Sequence, residues 1–140
     1  MGNRRKSREC ALKVLYSVDV SKSSPEEALA LYWGSDPADN QEIVDFTDTL
    51  VKGVVADIKN IDSIIKECSD NWKVSRMAAV DRNILRVAIY EFYFCEDIPV
   101  RVTLNEAIEL AKEFGSEDSK SFVNGILDKV SKRSDIKKDQ

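Results

Sequence analysis

Asp81-Arg82-Asn83-Ile84-Leu85-Arg86-Val87-Ala88-Ile89-Tyr90-Glu91 decides the fold class. It lies within a span, Arg76 to Phe94, where Met77, Val80, Ile84, Leu85, Val87, Ala88, Ile89 and Phe92 are apolar. Their spacing is helical, but they cover too much of the circumference for a surface helix. A helix of this kind is one that other helices surround.

The flanking sequence supplies those helices. Ala11, Val14, Leu15 and Val18 fall at i, i+3, i+4 and i+7, the stripe of an opening amphipathic helix. Arg4 and Arg8 share a face of it if it begins early. Ser24-Pro25-Glu26-Glu27 is a helix start, with Ser24 as cap, Pro25 in the first turn and Glu27 closing a capping box. That helix carries Leu29, Tyr32 and Trp33 and should stop at Gly34. A third helix is predicted from about Asp39 to Lys59 on the stripe Ile43, Phe46, Leu50 and Val54, and a short fourth on Ile61, Ile64, Ile65 and Cys68. Asp70-Asn71-Trp72 breaks the pattern and marks the join between two helical halves.

Beyond the central helix, Thr103-Leu104-Asn105-Glu106 reads as another capping box, with Leu104, Ala107, Ile108, Ala111 and Phe114 behind it and Gly115 at its end. Ser116-Glu117-Asp118 opens a last helix carrying Val123, Ile126, Leu127 and Val130. Gly125, inside that helix, predicts close helix packing. Val100-Arg101-Val102 is β-like but too short to make a strand. The expectation is all-α: about seven helices in one domain over residues 1–140, with halves of about 1–70 and 71–140 and a frayed polar end from Ser134.

Composition narrows the function. Apolar residues make up 43% and charged residues 33% of the chain, a folded rather than a disordered balance. No apolar run spans a bilayer and no signal-peptide pattern opens the chain, so a cytoplasmic location is expected. Cys10, Cys68 and Cys95 are far apart and form no CxxC pair, which suggests neither disulfides nor zinc. The chain contains no histidine, no Walker A loop and no GxGxxG. The usual parts of nucleophilic, metal and nucleotide chemistry are therefore missing, and neither enzyme activity nor a cofactor is expected.

The net charge of −4 is unevenly spread. Residues 1–13 carry +4 through Arg4, Arg5, Lys6, Arg8 and Lys13 against Glu9; residues 129–140 carry +3; the 115 residues between them carry −11. Basic ends on an acidic body point to nucleic acid, although solvated tails would give the same pattern.

The central stretch, together with Pro99, Asn105-Glu106-Ala107-Ile108-Glu109-Leu110-Ala111-Lys112, Phe114-Gly115 and Phe122-Val123-Asn124-Gly125-Ile126-Leu127-Asp128, resembles the NusB transcription-antitermination family. Arg8-Glu9-Cys10-Ala11 and Leu15-Tyr16 look like that family's opening helix, while residues 20–75 match mainly by length and helix pattern. The resemblance implies two small helical bundles set across each other. It also implies binding to the boxA element of nascent ribosomal RNA transcripts together with the ribosomal protein that acts as NusE. RNA polymerase and the other Nus factors would complete the complex, and some family members form homodimers that hide the RNA surface.

Residue roles follow from the resemblance and from side-chain chemistry. Arg4, Arg5, Lys6 and Arg8 match the family's arginine-rich start, which contacts RNA. Four neutralised phosphates on a single strand would give a salt slope of roughly −3. Tyr16 and Phe122 offer rings for base stacking, Phe122 matching a family position beside the RNA surface. Asp118 either caps its helix or accepts from base edges. Arg86 is a further RNA candidate, with a structural ion pair as its other reading. Asp81, Glu106 and Glu109 are candidates for a basic protein partner. Two alternatives stay open: a NusB-like RNA-binding module without antitermination function, and a helical protein adaptor. NusB-like domains also precede some rRNA methyltransferases, but no methyl-donor fold is expected after this one.

Overall fold

The computed structural model describes residues 2–136 and 138. Among them are seven α-helices and no strand: α1 (Asn3–Ser21), α2 (Pro25–Ser35), α3 (Gln41–Ala56), α4 (Ile58–Cys68), α5 (Ala79–Phe94), α6 (Val100–Phe114) and α7 (Ser119–Ser131), with a 3₁₀ turn at Val74–Arg76 before α5.

α5 is the axis. Ile84, Leu85 and Ile89 are fully buried, and α1, α3, α4, α6 and α7 all pack on this one helix. α1, α2 and α3 gather on one side; α4, α6 and α7 gather on the other. The two helical groups of the resemblance are thus present, but α4 packs chiefly with α5 and α7 rather than with α3. The spatial division therefore falls before α4, not near residue 70.

The predicted starts hold where a side chain makes the cap. Ser24 Oγ accepts the Glu27 amide at 3.1 Å and donates to the Glu27 carboxylate at 3.0 Å. The predicted third helix is interrupted at Asp57, whose amide reaches back to Gly53 and Val54 carbonyls at 3.2 and 3.3 Å. That tightening ends α3 and restarts the chain as α4.

α6 begins at Val100, immediately after Pro99, so the capping box expected at Thr103 does not form. Thr103 lies one turn into the helix and is buried, and its hydroxyl donates to Glu91 at 2.8 Å. The β-like Val100-Arg101-Val102 is the first turn of α6. Proline is well suited to a helix start, and that signal outranks the Thr–Glu spacing.

Gly125 is exposed, and a Cβ built on it would meet nothing within 4 Å, so close packing does not explain it. The glycine that packing demands is Gly53, where a Cβ would collide with the Tyr90 ring. That ring is stacked on Phe94 at 4.9 Å between centroids, a contact it would have to give up to make room. Gly53→Ala should therefore destabilise the protein by about 1–3 kcal/mol despite alanine's better helix propensity. A thermal midpoint at or above that of the parent chain would contradict this packing.

The described part of the C-terminal segment is not frayed. Ile136 is buried, and the Lys138 ammonium donates to the Glu91, Cys95 and Ile98 carbonyls at 2.9, 2.8 and 2.6 Å. Glu91 and the C-cap Cys95 stand at the end of α5, so the cation complements the negative end of that helix. Lys137, Asp139 and Gln140 lie outside the described residues.

Candidate nucleic-acid interface

The basic start is not a loose arm: it is the first two turns of α1, set against acidic neighbours. Arg8 and Glu91 form a buried pair, with side chains only 5% and 1% exposed. Arg8 Nε and Nη2 donate to the two Glu91 carboxylate oxygens at 2.7 and 3.0 Å. Arg8 is thereby corrected from an RNA ligand to a core residue that ties α1 to α5. Burying a guanidinium requires a carboxylate at this range.

Arg5 is half-buried and grips Glu106 through two bonds, Nε to Oε1 at 2.9 Å and Nη2 to Oε2 at 2.7 Å. The pairing holds the Arg5 guanidinium above, and the Glu106 carboxyl below, its ordinary pKa. Arg4 makes a single 2.9 Å contact with Asp97, both side chains being exposed, and lies over the Phe46 ring at 4.7 Å. Lys6 is exposed and makes no ion pair among the described residues. Lys13 is exposed too and lies 5.7 Å from the centre of the Phe114 ring, where α6 ends. This contact links the basic face of α1 to the loop that leads into α7.

Tyr16 is 43% exposed on α1, one turn beyond Lys13. Asp118 is exposed at the start of α7 and makes no side-chain cap. The local cap is instead Ser119 Oγ, which accepts the Ser116 amide at 2.9 Å. Phe122 is half-buried and packs edge-on against Trp72 at 6.2 Å, lining a shallow groove of about 350 Å³ that also takes in Cys68, Gly125 and Lys129. Arg5 and Phe122 thus line separate grooves.

Trp72 is 57% exposed, and residue-level reasoning passed over it as part of a break. The break itself carried the signal. Asp70 and Asn71 adopt left-handed backbone at φ 56° and 65°, which these two residue types tolerate better than most. They redirect the chain after α4 and precede the indole that meets Phe122.

Two other sequence candidates are buried. Arg86 pairs with Asp62 through two 2.8 Å bonds and with Asp19 at 3.1 Å, so its role is the structural ion pair and not RNA contact. Asp81 is only 8% exposed, and its Oδ1 has no hydrogen-bond partner among the described residues; it does not belong to an open acidic face. Of the other acids suggested for a basic partner, Glu106 is occupied by Arg5, while Glu109 is exposed and contacts Lys112 at 3.3 Å.

Comparison with known proteins agrees with this architecture over its length. A family model described as the NusB family matches residues 5–132. The transcription antitermination protein NusB of Syntrophus aciditrophicus (strain SB) is 48% identical over 139 residues, covering 96% of this chain and 86% of that protein. The protein of the same name from Desulfatibacillum aliphaticivorans is 46% identical over 130 residues, covering 93% and 90%. Among solved structures, T. maritima NusB superposes with a TM-score of 0.87 at 34% identity, over 95% of this chain and 92% of that one. A chain from the crystal structure of antitermination factors NusB and NusE in complex with dsRNA gives 0.86 at 28% identity, over 94% and 98%. With helices, core and surface all described, these similarities place the chain plainly: it belongs to the NusB family.

Proposed function

We propose that this protein is a transcription antitermination factor. In this reading it binds the boxA element of nascent rRNA transcripts together with the ribosomal protein acting as NusE, inside an RNA polymerase complex with the other Nus factors. The observation that carries it is the likeness, over 94% of the chain, to a structure whose components are NusB, NusE and dsRNA. The protein acts by binding and not by catalysis, and it works in the cytoplasm. No described helix is long and apolar enough to cross a membrane.

On this reading RNA follows the exposed face of α1 toward the start of α7. Arg4, Lys6 and Lys13 meet phosphates, Tyr16 and Phe122 offer rings to unpaired bases, and Asp118 accepts from base edges. Trp72 widens the aromatic platform beside Phe122. Glu109 remains open to a basic partner protein.

The test is a titration of labelled boxA RNA and a scrambled control, with and without the ribosomal partner, over a range of salt. BoxA should bind more tightly than the control, and the partner should enlarge the difference. With Arg5 and Arg8 engaged internally and Lys13 added to Arg4 and Lys6, three cations contact phosphate, so log K should fall against log salt with a slope of about −2 rather than −3. A salt-independent affinity, or equal affinity for the two RNAs in the partner's presence, would remove this function. Partner binding without RNA preference would favour the adaptor reading instead.

A further inference from the structure

A guanidinium edge that holds a carboxylate in two bonds cannot hold a phosphate in the same geometry. Arg5 is in that position. Its partner Glu106 is set firmly: its side chain is 17% exposed, and the buried Arg8 guanidinium lies 3.8 Å away on its inner side. The pair lines an open groove of about 230 Å³ in which Glu9, Glu109 and Glu113 add three more carboxylates against the one ammonium of Lys112. A sugar–phosphate chain approaching Arg5 from this side meets negative charge. The Arg4–Asp97 contact differs: it is a single bond between two side chains that are 49% and 67% exposed, and water or phosphate can displace it.

We propose that Glu106 is an internal competitor for RNA phosphate, which withholds Arg5 from the strand and leaves the phosphate contacts of α1 to its other exposed cations. This deepens the RNA-binding reading and rests on it. Phosphate contacts add affinity for every sequence alike, whereas base contacts discriminate. Holding one arginine back therefore lowers binding to all RNA and leaves the preference for the correct sequence intact.

Glu106→Gln tests the proposal, because it keeps the side chain's length and removes its charge. Freed Arg5 adds one phosphate contact, which steepens the salt slope by about 0.7 and, relative to 1 M salt, raises affinity about fivefold at 0.1 M. The rise should be equal for boxA and scrambled RNA. In an Arg5→Gln background the same change should leave the slope where it was. A purely structural pair would give the opposite pattern, a lower melting temperature with no change of slope. If Glu106→Gln does not fold, Glu106→Asp, which withdraws the carboxylate by one methylene, should steepen the slope by a smaller amount. A folded variant whose slope is unchanged, or whose affinity falls, overturns the proposal while leaving RNA binding in place. Failure of the parent chain to bind either RNA at any salt removes both.

Discussion

Replacing Asp19 with alanine should lower stability by about 3 kcal/mol, near the lower end for breaking a buried ion pair. One carboxylate here serves three donors' side chains. Arg82 reaches it at 2.6 and 2.9 Å, Asn83 at 3.0 Å and Arg86 at 3.1 Å. Arg86 keeps Asp62, and Arg82 keeps the Ser75 and Met77 carbonyls, so neither cation is fully stranded. That residual pairing holds the expected loss near the low end. Urea denaturation would measure it, and a loss below about 1 kcal/mol would mean that Asp62 or water takes over the role.

The same carboxylate gives a signature in acid. Burial raises its pKa, but the hydrogen bonds from Arg82 and Asn83 and the Arg86 charge outweigh that and bring it from an ordinary 3.8 to about 2. A folded-state pKa below the unfolded value stabilises the protein above the unfolded pKa. Asp19 therefore contributes about 2 kcal/mol at neutral pH, and this is lost as the pH falls from about 4 toward about 2. The Asp19→Ala variant should lose less stability across that interval than the parent chain. Parallel curves would show that the carboxylate is not the group responsible.

Glu91→Ala should be at least as damaging, at about 3–5 kcal/mol. It leaves the Arg8 guanidinium in the core with its nearest remaining carboxylate, Glu106, 3.8 Å away, and it removes the acceptor of Thr103. The double change Arg8→Met with Glu91→Leu distinguishes an unpaired charge from lost packing. Apolar side chains of similar volume restore the contact without the charge, so the double variant should recover most of the loss. If it is no better than Glu91→Ala, the pair matters through its hydrogen-bond geometry and not through the stranded cation.

These networks explain what the sequence could and could not convey. Periodicity, with the Ser24-Pro25 start for α2, identified all seven helices, because a stripe such as Val123, Ile126, Leu127 and Val130 can be buried in one way only. It also marked α5 as central, since residues such as Ile84, Leu85 and Ile89 leave little of that helix for solvent. Local spacing misled where tertiary contacts decide. Thr103 reads as a cap until Glu91, twelve residues away, is seen to accept its hydroxyl. Arg8 reads as part of a basic surface with Arg4, yet one turn along α1 separates an exposed ion pair from a buried one. Gly53 gave no signal at all, because its requirement comes from the Tyr90 ring on another helix. Of the RNA-facing candidates, Lys6, Tyr16 and Asp118 are exposed, Phe122 is half-buried beside the unforeseen Trp72, and Arg5 is tethered.

The placement of α5 also bears on how the molecule comes apart. Arg86 on this helix joins Asp19 of α1 to Asp62 of α4, so the two groups of helices share a wall and do not merely touch. Neither can open without exposing the wall's apolar residues on that side. Unfolding is then a concerted event: the innermost amides of α1 and α7 exchange with solvent through the same global opening, and no half-folded species accumulates in which one group survives alone.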